Sequence, residues 1–352
     1  MSHRRIVILA EGKFSPLESK TANQAIRYIP DDIVAVIDST QRGKSAREVL
    51  GFGGTIPVVA NIRETLPLRP DTLLIGIAPT GGRLPREWRP VILEAMNSKL
   101  HVISGLHTVL SDDAEFAAEA LRNGVWLVDL RKVSPEYETI ARGCWKERKA
   151  KTVLTVGTDC NVGKMTAALE LHREFQRRTL QSDFVATGQT GILLSGRGIA
   201  IDSVVSDFVA GAIEKEVERS ASAGNSIIVV EGQGSLTHQG YSSLTLGLLH
   251  GVMPDAMILV HHPIRQYDDY GFALNQVGRF IGLYEAVLAP FKDSRVVGIA
   301  MNTALMSQRQ IDAAQDELES ETKLPVGDVL SAEGRRKLAD AVIRQFNIDP
   351  GV

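Results

Sequence analysis

Short apolar runs rich in Val, Ile and Leu recur along the whole chain, and segments with helical spacing separate many of them. Runs of this length predict buried strands, and their alternation with helices predicts parallel sheets covered on both faces. The first series of predicted strands covers residues 5–9, 33–37, 57–60, 72–78, 100–105 and 125–130, and the second covers 152–156, 183–187, 226–232, 256–262 and 296–302. The chain is therefore expected to contain two parallel sheets.

The interval between the two series marks a boundary. Residues 131–150, RKVSPEYETIARGCWKERKA, lack a strand signal and are rich in charge, which is typical of a helical connector. A chain of 352 residues also exceeds one ordinary core. We predict an α/β protein with a Rossmann-like parallel-sheet domain at residues 1–130, a helical connector at 131–150, and a P-loop NTPase-like parallel-sheet domain at 151–352.

Composition excludes several classes of partner. The net charge of −3 offers no basic surface for nucleic acid or an acidic membrane, and no apolar window reaches the length of about 18 residues that a membrane span needs. The cysteines are Cys144 and Cys160, and the second lies inside a glycine-rich turn, so a disulfide framework is not expected. We predict a cytoplasmic homo-oligomer that acts on a small molecule.

The segment KTVLTVGTDCNVGKMTAALELHREF, residues 151–175, predicts a strand, a glycine turn and a helix in succession. Unpaired backbone N–H groups and the positive end of the helix dipole converge at such a turn, so it forms an anion site. Lys164 is expected to face solvent when the site is empty and to reach the outer phosphates of a ligand. The predicted cofactor-binding residues are Gly157, Thr158, Asp159, Cys160, Asn161, Val162, Gly163, Lys164, Met165 and Thr166.

The spacing departs from the usual G-x-x-x-x-G-K-[ST], because five residues separate Gly157 from Gly163. This longer loop resembles the GTDTEVGKT turn of dethiobiotin synthetase and its relatives. Met165 stands where that family has the Ser or Thr that binds Mg²⁺, and Thr166 points about 100° further round the helix. We therefore predict phosphate binding without a metal. If Mg²⁺ were used, Thr166 and Glu231 would be its ligands.

Further candidates follow other predicted strands, whose carboxyl ends border the ligand crevice in open α/β sheets. The predicted substrate-binding residues are Thr190, Gly191, Arg197, Gly232, Gly234 and Ser235. An arginine on a glycine-rich loop can hold a carboxylate by a two-pronged contact. The predicted catalytic residues are Lys164, Glu231 and His238, with the last two as candidates for proton transfer. Cys160 is either an accessible thiol at a helix N-terminus or a small spacer.

Four ordered motifs, GTDCNVGKMT, TGQTGILLSG, VVEGQGSLTH and VVGIAMNT, follow the Rossmann-like half. This arrangement resembles a two-domain P-loop family long catalogued as a domain of unknown function and now associated with D-glutamate N-acetyltransferase. The resemblance covers nearly the whole chain. It implies acetyl transfer from acetyl-CoA to the amino group of D-glutamate or a related D-amino acid, with the coenzyme A phosphates in the P-loop.

The resemblance also suggests how the candidate residues would serve acetyl transfer. Glu231 or His238 would take the proton of the amine, and Arg197 would hold the substrate carboxylate. Backbone N–H groups of residues 232–235 would stabilise the oxyanion.

Two other functions stay open. An ATP-dependent ligase or kinase similar to dethiobiotin synthetase would use Lys164, Thr166 and Glu231 around Mg-ATP. A nucleotide-regulated binding module would use the P-loop to switch a dimer, with histidines carrying metal. A requirement for Mg²⁺ separates the first from acetyl transfer, and bound metal identifies the second.

NAD binding in the first domain has weak support, because LAEGKF lacks G-x-G-x-x-G.

Overall fold

Two six-stranded sheets form the framework of the computed structural model, which describes residues 4–77, 79 and 81–348. The strands are β1 Ile6–Leu9, β2 Ile33–Ile37, β3 Val58–Val59, β4 Thr72–Ile75, β5 His101–Ser104, β6 Leu127–Asp129, β7 Lys151–Gly157, β8 Ser182–Val185, β9 Ile227–Val230, β10 Ala256–His261, β11 Arg295–Met301 and β12 Val326–Asp328. The helices are α1 Lys20–Tyr28, α2 Ala46–Leu50, α3 Ile62–Thr65, α4 Arg89–Asn97, α5 Ala114–Asn123, α6 Lys164–Arg177, α7 Gln189–Ser195, α8 Val209–Ser222, α9 Ser242–Val252, α10 Val277–Leu288, α11 Gln308–Thr322 and α12 Ala332–Phe346.

Strand pairing is parallel throughout both sheets, as the alternation of strands and helices predicts. The first sheet has the order β3-β2-β1-β4-β5-β6 and the second has the order β12-β11-β10-β7-β9-β8. In the second sheet, β7 lies between β10 and β9, so the carboxyl end of β7 faces the crevice where open α/β sheets bind ligands. In the described part of the chain, no helix has the length and apolar character needed to cross a membrane.

The chain divides into two compact units, Met1–Lys132 with Ile192–Gly196 and Val133–Gly191 with Arg197–Val352. The prediction of a helical connector at 131–150 is wrong. This segment contains two single-turn 3-10 helices, Pro135–Tyr137 and Cys144–Lys146, and no α-helix.

The connector stays extended because its backbone bonds to a distant helix. The N–H groups of Arg142, Gly143 and Cys144 all donate to the carboxylate of Glu214 on α8. Tyr137 donates its hydroxyl hydrogen to Glu216 on the same helix. In an α-helix over these residues, the three N–H groups would donate to carbonyl groups of the helix itself. The buried Glu214 carboxylate would then lose these three donors.

The close approach of β7 to the second residue after β9 requires a glycine. A Cβ atom added at Gly232 would lie 1.6 Å from the carbonyl oxygen of Thr155. The Gly232 N–H donates to the Thr155 hydroxyl at 3.0 Å. The two backbones therefore meet at a separation that only glycine permits.

Substitution of Gly232 tests this packing. We expect Gly232→Ala to lower the free energy of unfolding by about 1–3 kcal/mol, because the added methyl forces the two segments apart. The matched control is Gly282→Ala on α10, where a Cβ meets nothing within 4 Å. That change should stabilise by up to about 1 kcal/mol through helix propensity. Urea unfolding of both variants measures the difference, and equal effects would contradict the packing argument.

Candidate functional site

The predicted P-loop connects β7 to α6. Asn161 and Gly163 have left-handed φ values of 55° and 107°, which curl the chain around the start of the helix. No hydrogen bond partner is found, within the residues described, for the backbone N–H groups of Asn161, Val162 and Gly163. Together with the dipole of the 14-residue helix α6, these donors are suited to holding an anion.

Lys164 is buried, at 7% exposure, and does not face solvent as the sequence analysis predicts. Its Nζ donates to the carbonyl oxygen of Asp159 at 2.7 Å. A Cβ atom on Gly157 would lie 3.0 Å from the same Nζ, so the glycine leaves room for the folded-back lysine. The Lys164 ammonium group therefore forms a hydrogen bond inside the loop, between the start of α6 and Asp159.

Met165 is buried, at 4% exposure, while Thr166 is only half-buried. Mg²⁺ prefers hard oxygen ligands, and a thioether offers none. Glu231, the other predicted Mg²⁺ ligand, is engaged elsewhere, as described below. The residues at the metal position of this loop therefore do not fit magnesium.

The floor of the loop depends on two side chains from neighbouring elements. Tyr284 of α10 is fully buried, donates its hydroxyl hydrogen to the carbonyl of Gly157 at 2.7 Å, and accepts the N–H of Leu236 at 3.4 Å. Burial raises the pKa of Tyr284 to about 12. His261, at the end of β10, lies 3.0 Å through Nδ1 from the Thr158 hydroxyl, and burial lowers its pKa to about 4.

Asp159 is almost fully buried and pairs with an arginine from the segment after β10. Arg265 Nε lies 2.8 Å from the Asp159 carboxylate, and its guanidinium also donates to the carbonyl of Cys160 at 3.2 Å. Burial raises the pKa of Asp159, while the Cys160 N–H and Arg265 oppose that shift. Arg265 was not among the predicted site residues, although its position soon after a predicted strand was an available signal.

His238 lies beside the P-loop and is 1% exposed. One of its ring nitrogens, the Cys160 sulfur and an Asp159 carboxylate oxygen lie within 4.8 Å of one another. The ring stacks on Tyr241, with centroids 5.0 Å apart, and its Nδ1 accepts the Gly240 N–H at 3.2 Å.

These contacts disfavour a metal ion at the cluster of Asp159, Cys160 and His238. Because Nδ1 accepts a hydrogen bond, the neutral ring carries its proton on Nε2, and a protonated nitrogen cannot bind a metal. Arg265 already places a positive charge on Asp159. His238 Nε2 is buried and has no partner in the described part of the chain, so it is a donor that lacks an acceptor.

Glu231 follows β9, as predicted, but its carboxylate is bound to the backbone. Oε2 accepts the N–H groups of Thr187 at 3.0 Å and Gly188 at 3.3 Å, and Oε1 accepts the Gln233 side-chain amide at 3.1 Å. A Cβ on Gly191 would lie 2.3 Å from Oε2. Glu231 therefore fixes the turn before α7 and lies against Gly191, which belongs with Thr190 to the first turn of that helix. Its catalytic role stays a prediction.

Arg197 forms an ion pair with Asp183. Asp183 is the second residue of β8 and precedes the carboxyl end of that strand. The ion pair therefore holds the Arg197 guanidinium beside the strand, before its carboxyl end. The pKa of His172 on α6 is lowered to about 4. Burial is the largest cause of this shift, and the positive charge of Arg197 is the second. The structure thus gives Arg197 a protein partner in place of a substrate carboxylate.

The backbone N–H groups of the turn at residues 232–235, predicted to stabilise an oxyanion, differ in their hydrogen bonding. The Gly232 N–H is used by Thr155, so it cannot serve an oxyanion. The N–H groups of Gly234 and Ser235 have no hydrogen bond partner within the described ranges. Gly234 has φ of 66°, and a Cβ there would lie 2.5 Å from the Tyr241 carbonyl oxygen. Gly234 and Ser235 are buried, so within the described residues the tight turn holds two buried N–H donors without a partner.

The pKa of His261 predicts a pH dependence of stability. Its pKa falls from about 6.5 when unfolded to about 4 when folded, so the unfolded chain binds the extra proton. Stability from this group is present above about pH 6.5 and is lost as pH falls towards 4. We expect His261→Asn to make the loss of Tm between pH 6.5 and 4.5 shallower, with values at pH 8 as reference.

His172→Asn is the matched variant, because burial lowers that pKa to about 4 as well. It should also reduce the slope of Tm against pH, but without affecting binding of an anion in the P-loop. Slopes identical to that of the unmodified protein in both variants would contradict the assignment.

Comparison with known proteins agrees with this architecture. A family described as "Domain of unknown function (DUF1611_C) P-loop domain" matches residues 139–339, and its partner described as "Domain of unknown function (DUF1611_N) Rossmann-like domain" matches residues 39–133. A protein of Tritonibacter scottomollicae named D-glutamate N-acetyltransferase is 40% identical over 77% of this chain and 80% of its own length. A protein of the same name from Pseudoalteromonas sp is 36% identical over 77% of this chain and 81% of its own length.

A crystal structure of a DUF1611 family protein from Anabaena variabilis gives the same result in three dimensions. It superposes with a TM-score of 0.92 at 36% identity and covers 97% of this chain and 99% of that chain. The chain belongs to the DUF1611 family, with its Rossmann-like N-terminal domain and its P-loop C-terminal domain.

Proposed function

We propose that the protein is an N-acetyltransferase that moves an acetyl group from acetyl-CoA to the amino group of D-glutamate or a related D-amino acid. The names of two relatives at 40% and 36% identity support this reaction. The structural observation that carries the proposal is a P-loop with unpartnered N–H donors and a buried methionine at the position of the metal ligand.

A P-loop of this kind suits a ligand whose phosphates are held but not transferred. Phosphoryl transfer relies on a metal ion to neutralise the migrating group, whereas acyl transfer from a thioester does not. Coenzyme A carries a pyrophosphate and a 3′-phosphate. The N–H groups of Asn161, Val162 and Gly163 would hold one of these anions, and Lys164 would move from the Asp159 carbonyl to the phosphate oxygens.

His238 is a hydrogen bond donor in this scheme. The Gly240 N–H donates to Nδ1, which leaves the ring proton on Nε2 and supplies an N–H donor beside the P-loop anion. A buried N–H without an acceptor costs about 1–3 kcal/mol, and a bound anion removes that cost. This tautomer cannot take a proton at Nε2, so we propose that His238 positions the ligand.

The acyl transfer forms a C–N bond and breaks the thioester C–S bond. Acetyl-CoA supplies the activated acetyl carbon. The free N–H groups of Gly234 and Ser235 are suited to the carbonyl oxygen, which gains negative charge in the transition state. The amine loses one proton, and the departing sulfur of coenzyme A takes up one proton to become a thiol.

Two substitutions of His238 distinguish a role as hydrogen bond donor from a role as catalytic base. Gln places its amide N–H near the position of Nε2, whereas Asn reaches only to the position of Nδ1. We expect His238→Gln to keep the affinity for acetyl-CoA within a few-fold and His238→Asn to weaken it by about ten-fold. Calorimetry measures both. Unchanged affinity in both variants with kcat lost in both would assign His238 as the base.

The reaction itself is tested with acetyl-CoA and D-glutamate, with the product identified by mass spectrometry as N-acetyl-D-glutamate. We expect most activity to survive EDTA, because no residue at the metal position fits Mg²⁺, and we expect L-glutamate to be the poorer substrate. A second reaction contains ATP and Mg²⁺ without acetyl-CoA. Release of ADP in step with product, or no acetylated D-amino acid, would contradict the proposal.

A further inference from the structure

A small cavity with a mainly apolar lining and three polar side chains lies at the carboxyl edge of the second sheet. Its volume is about 170 Å³, and it is lined by Thr237, Asn275, Arg279, Phe280 and Leu283. Thr237 follows β9, and the other lining residues belong to the segment after β10 and the start of α10. Ligands in open α/β sheets bind beyond these strand ends, so the cavity is placed where a substrate group is expected.

Helix α10 connects the cavity to the P-loop. Tyr284, one turn after Phe280, is the residue whose hydroxyl bonds to Gly157 and Leu236. Thr237 immediately precedes His238, whose ring lies beside Cys160. The loop after β9 and helix α10 therefore both contact the P-loop and both line the cavity.

Arg279 brings an unpaired positive charge to this cavity. In the described residues its guanidinium has no ion pair and no hydrogen bond. Two arginines considered above differ in this respect, because Arg265 pairs with Asp159 and Arg197 pairs with Asp183. Glu321 accepts the backbone N–H of the preceding residue, Gly278, at 3.0 Å and forms no ion pair with Arg279 among the described residues.

The remaining lining residues complement an anion with a short carbon chain. The Thr237 hydroxyl and the Asn275 amide are donors that can share a carboxylate with the Arg279 guanidinium. Phe280 and Leu283 offer apolar contact for methylene groups. The cavity is open to solvent, and its volume of about 170 Å³ leaves room for an amino-acid side chain.

We propose that this cavity binds the side-chain carboxylate of the acceptor, with Arg279 as its charged partner and as the residue that selects acidic amino acids. The inference rests on the proposed acetyl transfer and names the acceptor subsite within it. Arg279 replaces Arg197 in the role that the sequence pattern suggested, because Arg197 is bound to Asp183.

The test compares Arg279→Gln with a matched control, Arg309→Gln, which removes an exposed charge from α11. We expect Arg279→Gln to raise KM for D-glutamate by about ten- to a hundred-fold, as loss of a charged hydrogen bond does. KM for acetyl-CoA should stay within two-fold. The preference for D-glutamate over D-glutamine, its neutral counterpart, should disappear, and Arg309→Gln should change none of these values.

A binding measurement separates this inference from the proposed reaction. Glutarate has the two carboxylates and no amino group, so it cannot be acetylated. Its affinity, measured by calorimetry, therefore reports binding in the cavity independently of acetyl transfer. We expect the Arg279→Gln protein to bind it at least ten-fold more weakly, and Asn275→Asp to weaken it as well through charge repulsion. If D-glutamate is not acetylated but these glutarate results hold, the reaction is wrong and the subsite stands. Unchanged glutarate affinity in both folded variants would overturn the subsite.

Discussion

The hydroxyl group of Tyr284 joins the parts of the second unit that form the candidate site. It donates to the last residue of β7 and accepts from the loop after β9, while its own helix begins at the edge of the cavity. The side chain is fully buried, and burial raises its pKa to about 12, so the hydroxyl stays protonated and keeps donating under ordinary conditions. A buried carbonyl at Gly157 would otherwise lose its partner. The position of the P-loop thus depends on a residue 127 positions away in the sequence.

The local sequence pattern was sufficient to predict both parallel sheets, the boundary region between them and the P-loop, because strand composition and the glycine turn are local signals. It missed β12, since Val326–Asp328 is short and contains a glycine. It also predicted a helix over 131–150, where charge and spacing favour helix but the backbone bonds to Glu214. Contacts across about 70 residues decided that segment, and no window of the sequence contains them.

The candidate site shows the same division between local and distant causes. The loop residues from Gly157 to Thr166 occupy the predicted turn, yet the partners that set their chemistry come from elsewhere. Arg265, Tyr284 and Arg279 were not recognised, because a strand end or helix start carries many charged and aromatic residues and spacing does not show which of them face the candidate site. Conversely, Arg197 and Glu231 lie near the expected strands but are bound to Asp183 and to backbone N–H groups.

Met165 has a consequence for how the P-loop can hold an anion. In a loop with a metal ligand, a divalent ion shares the negative charge of the phosphates with the protein. Here the protein must balance that charge through Lys164, the N–H groups of the loop and the dipole of α6. Salt screens such interactions unless they are deeply buried. Lys164 is itself buried, so we expect the occupancy of this loop to respond to salt mainly through the loop N–H groups and the helix dipole, and not to depend on magnesium.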